Sequence, residues 1–373
     1  MVSGLIAAAV LAMVTATPAS AEVSADPVAT PTFNGTVHAV ATKGNIVYVG
    51  GTFTAALVRG KSVPRRSLAA LDVNTGALLG WAPTADRAVR AIAVDGDNVW
   101  IAGDFQYVNG QNRDSLARLN GTTAALDPVS HKISGGSPRT LAVGHGRLYM
   151  GGLFTTVNSA NRRNLAAFSL ATGQLSSWAP RTDDIVNSIA VTANRVYLGG
   201  GFHRTNDISS TGRLIAVKPD TGAVDLGFRP QPDAEVYSVA VTENRVYAAL
   251  GGRGGKGLSY STNGRANWAV TTDGDLQAIT VLGDAVYFGG HFDNVCRTSR
   301  NGDHGVCLDG AVRRIKFAAV SVDGKLLPWA PNGNGVRGVL AMAAAPAADA
   351  IVAGGEFTTV DGRGQQRFAV FTD

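Results

Sequence analysis

The sequence predicts an all-β fold: a seven-bladed β-propeller of four-stranded antiparallel blades, with the ring closed by N-terminal strand pairing with the C-terminal blade. Three observations lead there: a repeated strand ending in Gly-Gly-x-Phe, a repeated turn followed by aromatic-x-Pro, and two chain ends that complement each other.

The anchor of the repeat is an apolar run, two glycines and a phenylalanine. It occurs as Val47-Tyr-Val-Gly-Gly-Thr-Phe53, Val99-Trp-Ile-Ala-Gly-Asp-Phe105, Leu148-Tyr-Met-Gly-Gly-Leu-Phe154 and Val196-Tyr-Leu-Gly-Gly-Gly-Phe202. It returns as Val286-Tyr-Phe-Gly-Gly-His-Phe292 and Ile351-Val-Ala-Gly-Gly-Glu-Phe357, with a degenerate copy, Val246-Tyr-Ala-Ala-Leu-Gly-Gly252, between the fourth and fifth clear ones. Each unit reads as four strands. The first alternates, as in Val89-Arg-Ala-Ile-Ala-Val94 and Val236-Tyr-Ser-Val-Ala-Val241, and the second is the anchor run. The third, such as Leu68-Ala-Ala-Leu-Asp72, ends in a Thr-Gly or Asp-Gly turn, and the fourth closes on Trp81-Ala-Pro83, Trp178-Ala-Pro180, Phe228-Arg-Pro230 or Trp329-Ala-Pro331. Short strands at this period with glycine turns at fixed offsets are the sequence form of propeller blades. One blade cannot bury both of its apolar faces, so neighbours must stack, and the paired glycines permit close approach. No apolar 3.6-residue period is sustained after the N-terminal run, which excludes a helical solenoid.

The ends agree with this reading. The chain finishes on Arg367-Phe-Ala-Val-Phe-Thr-Asp373, a third strand without a fourth. It begins its first clear strand at Val37-His-Ala-Val40, preceded by Phe33-Asn34-Gly35, which has the form of a fourth-strand end. The N-terminal segment is therefore expected to supply the outer strand of the last blade, leaving fewer free edges. The Gly-Gly-x-Phe and Trp-x-Pro elements resemble the delta-60-type bacterial β-propeller repeats found in secreted actinobacterial proteins. That resemblance covers nearly the whole chain after the N-terminal run. It implies the fold and carries no catalytic residues across. Leu71-Asp-Val-Asn-Thr-Gly-Ala-Leu-Leu-Gly-Trp81 is similar to the tryptophan-docking repeat of quinoprotein alcohol dehydrogenases. Those proteins are eight-bladed and depend on a vicinal cysteine pair, which this chain lacks, so no quinone cofactor is expected.

Residues 5–16 are apolar and lead to Thr17-Pro18-Ala19-Ser20-Ala21, the pattern of a signal peptide over residues 1–21, although no Lys or Arg precedes the apolar core. The run is too short for a membrane span, and no second one follows. The propeller is expected over residues 22–373 as one domain of a secreted protein. The net charge is +5, but the basic residues are scattered without a run, so nucleic acid is not an expected partner. Cys296 and Cys307 flank a Gly-containing loop, which reads as a disulfide in an exported protein. A metal site would need two more soft ligands, and only His304 is near.

In a propeller the loops joining strands two to three, and strand four to the next strand one, share a face. Here the first set places Arg65, Arg113, Arg162 and Arg314 three positions before the third strand. The second places Asn34, Asp86, Asp183 and Asp233 three before the first-strand valine. The longest loops, residues 55–66 and 294–314, lie on the same side, where ligand sites commonly sit. Residues recurring once per blade also serve structure: the acids can cap turns, and the arginines can bridge blades. Nucleophile-elbow and His-Glu-x-x-His motifs are absent, and the six histidines show no metal-ligand spacing; His203 and His291 read as rim residues. Asp95-Gly-Asp-Asn98 reads as a hairpin turn, and Gly251-Gly-Arg-Gly-Gly-Lys-Gly257 as a surface loop, since no helix follows it. The sequence thus points to a secreted, non-enzymatic module binding a glycan or a partner protein through the loop face. The alternative is a glycan hydrolase or lyase using Asp86, Asp183 and Asp233, which would require paired carboxylates at a suitable separation.

Overall fold

The computed structural model describes residues 23–373; the signal-peptide reading of residues 1–21 falls outside the described residues. Among them, seven larger antiparallel sheets follow one another along the chain, each built outward from an inner strand, with five small sheets formed in the loops between. The inner strands are Val37–Lys43, Val89–Asp95, Ser137–Gly144, Val186–Val191, Val236–Val241, Leu276–Leu282 and Val339–Ala345. Each hairpins onto the Gly-Gly strand, as Val89–Asp95 does onto Asn98–Gly103. Asp95 pairs with Asn98 across the turn, and Gly96 adopts φ +52° there, so this segment is the expected hairpin turn. The third strand then pairs on the outer side, as Leu68–Asp72 does with Ile46–Gly51.

The core lies between sheets. Each buried cluster joins two successive sheets: Tyr48 and Trp81 pack with Val89, Val99 and Ile101 of the next, and Tyr149 with Val186 and Leu198. One cluster joins the last sheet to the first, bringing Val352, Phe368 and Val370 against Val37, Val49 and Phe53. The inner strands touch in series, and Val339–Ala345 also lies against Val37–Lys43, where the Thr42 hydroxyl donates to the Ala344 carbonyl at 2.7 Å. The two glycines of the anchor do different work. A Cβ on Gly50 would sit 2.7 Å from Val89 Cγ1 of the neighbouring sheet, whereas one on Gly51 would sit 2.1 Å from the Thr36 carbonyl oxygen of its own.

The expectation of four-stranded blades needs correction. Four full strands occur only in the sheet of the degenerate repeat, Val236–Val241, Arg245–Leu250, Lys256–Ser261 and Ala266–Thr271. Elsewhere the outer segment meets the third strand in a single bridge, Leu71↔Leu78, Leu119↔Leu126, Phe168↔Leu175, Val217↔Val224 or Val320↔Leu326. In the Trp-x-Pro element proline offers no N–H to a ladder. The indole donates across to the next sheet, as that of Trp268 also does from within the full fourth strand. Trp81 Nε1 reaches the Asn120 carbonyl at 2.9 Å and Trp178 Nε1 that of Lys218 at 3.1 Å.

The N-terminal segment meets the last sheet by anchors rather than a strand. Ser24 and Val28 amides donate to the Thr372 and Val370 carbonyls, both at 2.8 Å. Pro27 breaks any ladder between them. Trp329 Nε1 donates to Ser24 O at 3.1 Å, so residue 24 serves it as Asn120 serves Trp81. Phe33 is not a fourth-strand end: residues Thr32–Phe33 pair with Ala55–Val58 of the first sheet's long hairpin. Its fully buried ring stands 4.3 Å from Phe53 and 5.8 Å from Phe368, centroid to centroid, and so touches both the first and last sheets. Phe33→Ala is expected to cost about 3–5 kcal/mol, measured by urea unfolding; a loss below about 1 kcal/mol would show that the wedge is dispensable.

Candidate functional site

A feature repeated in all seven inner strands builds the candidate site. Each carries a register shift near its start: between Val37 and Ala39, Val89 and Ala91, Pro138 and Thr140, Val186 and Ser188, Val236 and Ser238, Leu276 and Ala278, and Val339 and Ala341. A bulge re-aims the extra side chain. The residues set out of register are His38, Arg90, Arg139, Asn187, Tyr237, Gln277 and Leu340. A cavity of about 220 Å³ is lined by residues from all seven inner strands, including each of these except Gln277. It is the axial mouth of the fold.

The mouth is electrically polarised. On one arc Arg90 Nε donates to Asp104 at 2.6 Å, Arg139 stands 3.6 Å from the same carboxylate, and Arg337 stands 3.3 Å from Glu356. His38 lies among them. Burial, then the charges of Arg90 and Arg337, push its imidazole down to about 4 from 6.5, against the pull of Asp104. Across the mouth Glu235 accepts from Asn187 Nδ2 at 2.8 Å. Burial pushes the Tyr237 phenol up to about 12, helped by Glu235 and Asp275, and burial also raises the Asp275 carboxyl. Gly251 leaves room there, since a Cβ would sit 2.6 Å from the Tyr237 ring and 3.0 Å from Asp275 Oδ1.

The recurring loop residues are spent on the scaffold. In Arg65, Arg113, Arg162 and Arg314 one guanidinium nitrogen donates to the preceding carbonyl. The other donates to Leu79, Asp127, Ser176 or Leu327 in the outer segment of the same sheet, at 2.7–3.0 Å. They clip one blade's edge rather than bridging blades. The bridging falls to other arginines, as when Arg118 Nη1 donates to Leu170 O at 3.1 Å. Asp86 Oδ1 accepts from the Gln106 and Tyr107 amides and Asp183 Oδ1 from those of His203 and Arg204, all near 2.9 Å. Burial would raise the Asp183 carboxyl, but the Arg204 and His203 amides outweigh it and hold it below the usual range. Asn34 makes the same two bonds. Asp233 departs from the pattern: it pairs with Lys256 and lines a separate cleft with His203 and Arg213.

Two further residues cap in the same way. Asp273 sits three before Leu276 and takes the Asp293 and Asn294 amides; Asn334, displaced by two extra loop residues, takes those of Thr358 and Thr359. These caps lock the two kinds of loop together on one face. The one-to-two and three-to-four turns interlock on the other, as Gly121 N does with Asp97 O at 2.7 Å. Cys296 and Cys307 form the expected disulfide, with Cα atoms 5.1 Å apart. His203 and His291 are exposed, and among the described residues no His, Cys, Asp and Glu cluster is arranged to hold a metal.

The mouth predicts a pH dependence. Between pH 6.5 and about 4 the folded His38 stays neutral while the unfolded one takes up a proton. Its contribution is therefore fully present above pH 6.5 and lost as pH falls through this window. The ceiling is about 3 kcal/mol, reduced by solvent at the open mouth. Unfolding of wild type and His38→Gln at both ends of the window checks this: the variant should lose less stability on acidification, by about 1–3 kcal/mol. Parallel losses would contradict it.

No family model matches the chain, and no curated protein does. Solved structures do. The WD40 β-propeller domain of Doa1 superposes with a TM-score of 0.59 at 11% identity, over 93% of this chain and 96% of that one. U3-55K gives 0.60 at 10% identity, over 91% and 96%. The computationally designed Ika8 protein gives 0.53 at 14% identity, over 92% and 98%. At such identities the likeness concerns fold alone, and with the sheet arrangement above it makes this chain a β-propeller.

Proposed function

We propose that the chain is an exported, non-enzymatic binding module: a closed ring of seven blades that recognises a partner protein through its loop face. The carrying observation is where the large apolar side chains are left in water. Of those exposed among the described residues, Tyr107, Ile208, Val306, Leu308 and Val336 belong to the two kinds of loop that share the face of the mouth, and Leu153 ends the strand Arg147–Leu153 where it enters such a loop. Leu226 alone lies elsewhere. They are spread over the loops of several sheets, and what they have in common is the face they are left on, which is the face we read as the interaction surface. A protein partner suits them better than a glycan, because sugar faces stack on aromatic rings and only Tyr107 is aromatic. The recurring acids and arginines hold these loops in place. Export is supported by the N-terminal apolar run and by the disulfide, which persists in oxidising compartments.

The reading is tested with a variant carrying Tyr107→Lys, Leu153→Glu and Val306→Glu beside the control Leu226→Glu. Cross-linking of the tagged protein in its native extracellular fraction should yield a partner captured by wild type and by the control, and lost from the triple variant. Capture by the triple variant with loss from the control would place the interface elsewhere.

A further inference from the structure

We propose that the axial mouth is a binding site for a small zwitterion, a molecule of amino-acid or dipeptide size whose carboxylate faces Arg90 and Arg139 and whose ammonium faces Glu235 and Asp275. The site shares its face with the interface proposed above and rests on that face being the one used, but it is a distinct cavity with its own chemistry.

Position and composition single it out. The bulge places one side chain per blade at the mouth, and these are His, Arg, Arg, Asn, Tyr, Gln and Leu. Every other recurring loop position keeps nearly one residue type, because one structural bond fixes it. The mouth position is free of that constraint and carries six residue types over its seven occurrences. The charges are also segregated around the axis: Arg337, Arg90 and Arg139 come from the last, second and third sheets, with Glu235 and Asp275 from the fifth and sixth. On the arginine side three guanidinium groups stand against the two carboxylates that pair with them, Asp104 and Glu356, leaving a net positive charge. Opposite, Glu235 and Asp275 form no ion pair among the described residues, so the mouth has a net direction, which favours a ligand with opposite charges at its two ends.

The groups needed are not used up. Arg90 commits only Nε to Asp104, leaving its two terminal nitrogens for a carboxylate, and Arg139 makes only the looser 3.6 Å contact. Guanidinium nitrogens suit a carboxylate in paired fashion. Opposite, the Asn187 bond engages Glu235 Oε1 only, and an ammonium would regain there the water it loses on entering. Between the two arcs His38 is neutral at pH 7 and offers a donor or an acceptor without adding charge. The volume, about 220 Å³, admits a molecule of this size and excludes a polymer chain lying in full contact.

The test is calorimetric titration of the purified protein with glycine, 4-aminobutyrate, 6-aminohexanoate, glycylglycine and triglycine, a series that varies the distance between the charges. N-acetylglycylglycine and glycylglycine amide each remove one charge. At least one zwitterion should bind, and blocking either of its ends should weaken binding about tenfold or more. Glu235→Gln should abolish discrimination against the acetylated compound, and Arg139→Gln discrimination against the amide. Circular dichroism and melting temperature establish that both variants are folded. No binding by any zwitterion at millimolar concentration overturns the proposal. So does equal binding of the acetylated compound, which would mean a simple anion site, or unchanged binding in both variants. Neither variant touches Tyr107, Leu153 or Val306, so a failed titration with partner capture intact removes the mouth proposal alone.

Discussion

The whole arrangement depends on how closely one sheet can approach the next. Where the second strand reaches the axis its backbone lies against a valine of the neighbouring inner strand, at a separation that leaves no room for a side chain. A Cβ on Gly151 would stand 2.8 Å from Val186 Cγ1, on Gly199 2.6 Å from Val236 Cγ1, and on Gly289 2.3 Å from Val339 Cγ1. The two repeats with alanine at this position, Ala102 and Ala249, face sheets whose inner strands carry Pro138 and Leu276 instead of valine just before the register shift. The methyl group and the changed partner therefore go together. The approach brings the inner strands into contact, seals the apolar wedges behind them, and leaves an axial cavity narrow enough for seven bulged residues to share.

Around that constraint the chain divides its polar residues between two tasks. Asp86, Asp183, Asp273, Asn34 and Asn334 fold loops by accepting backbone amides, and Arg65, Arg113, Arg162 and Arg314 tie down the outer segments. These bonds satisfy groups that would otherwise be stranded in loops over an apolar core. The mouth residues answer to no such demand. Constancy from sheet to sheet marks the scaffold in this protein, while the residues at the mouth vary.

The repeats made the β-fold legible in the sequence, because apolar alternation and glycine turns act locally and leave their mark at a fixed spacing. The disulfide and the turn at Asp95-Gly-Asp-Asn98 were legible for the same reason. The outer strand was not: Trp81-Ala-Pro83 reads as a strand end, yet the segment before it meets the third strand only at Leu71↔Leu78. The pairing of the N-terminal segment was half legible: Ser24, Val28 and Phe33 amides bond to the last sheet, but Pro27 interrupts a ladder, and Thr32–Phe33 pair with the first sheet's hairpin. The site was the least legible part. The polar residue inside Val37-His-Ala-Val40, Val89-Arg-Ala-Ile92 and their counterparts reads as ordinary strand alternation. Only the register shift, a property of pairing between two strands, turns it toward the axis.

The central claim is that the last blade packs on the first as the others pack on each other, so that the ring is closed. A Cβ on Gly354 would sit 2.3 Å from Val37 Cγ1, the same clash that Gly151 would make with Val186 inside the ring. Unfolding of Gly354→Ala, Gly151→Ala and the control Gly364→Ala, whose Cβ would meet nothing within 4 Å, measures this directly. The closed ring predicts that the first two each lose about 1–3 kcal/mol by overpacking while the control does not. A Gly354→Ala protein as stable as the control, beside a destabilised Gly151→Ala, would mean that the ends do not pack as the other blades do.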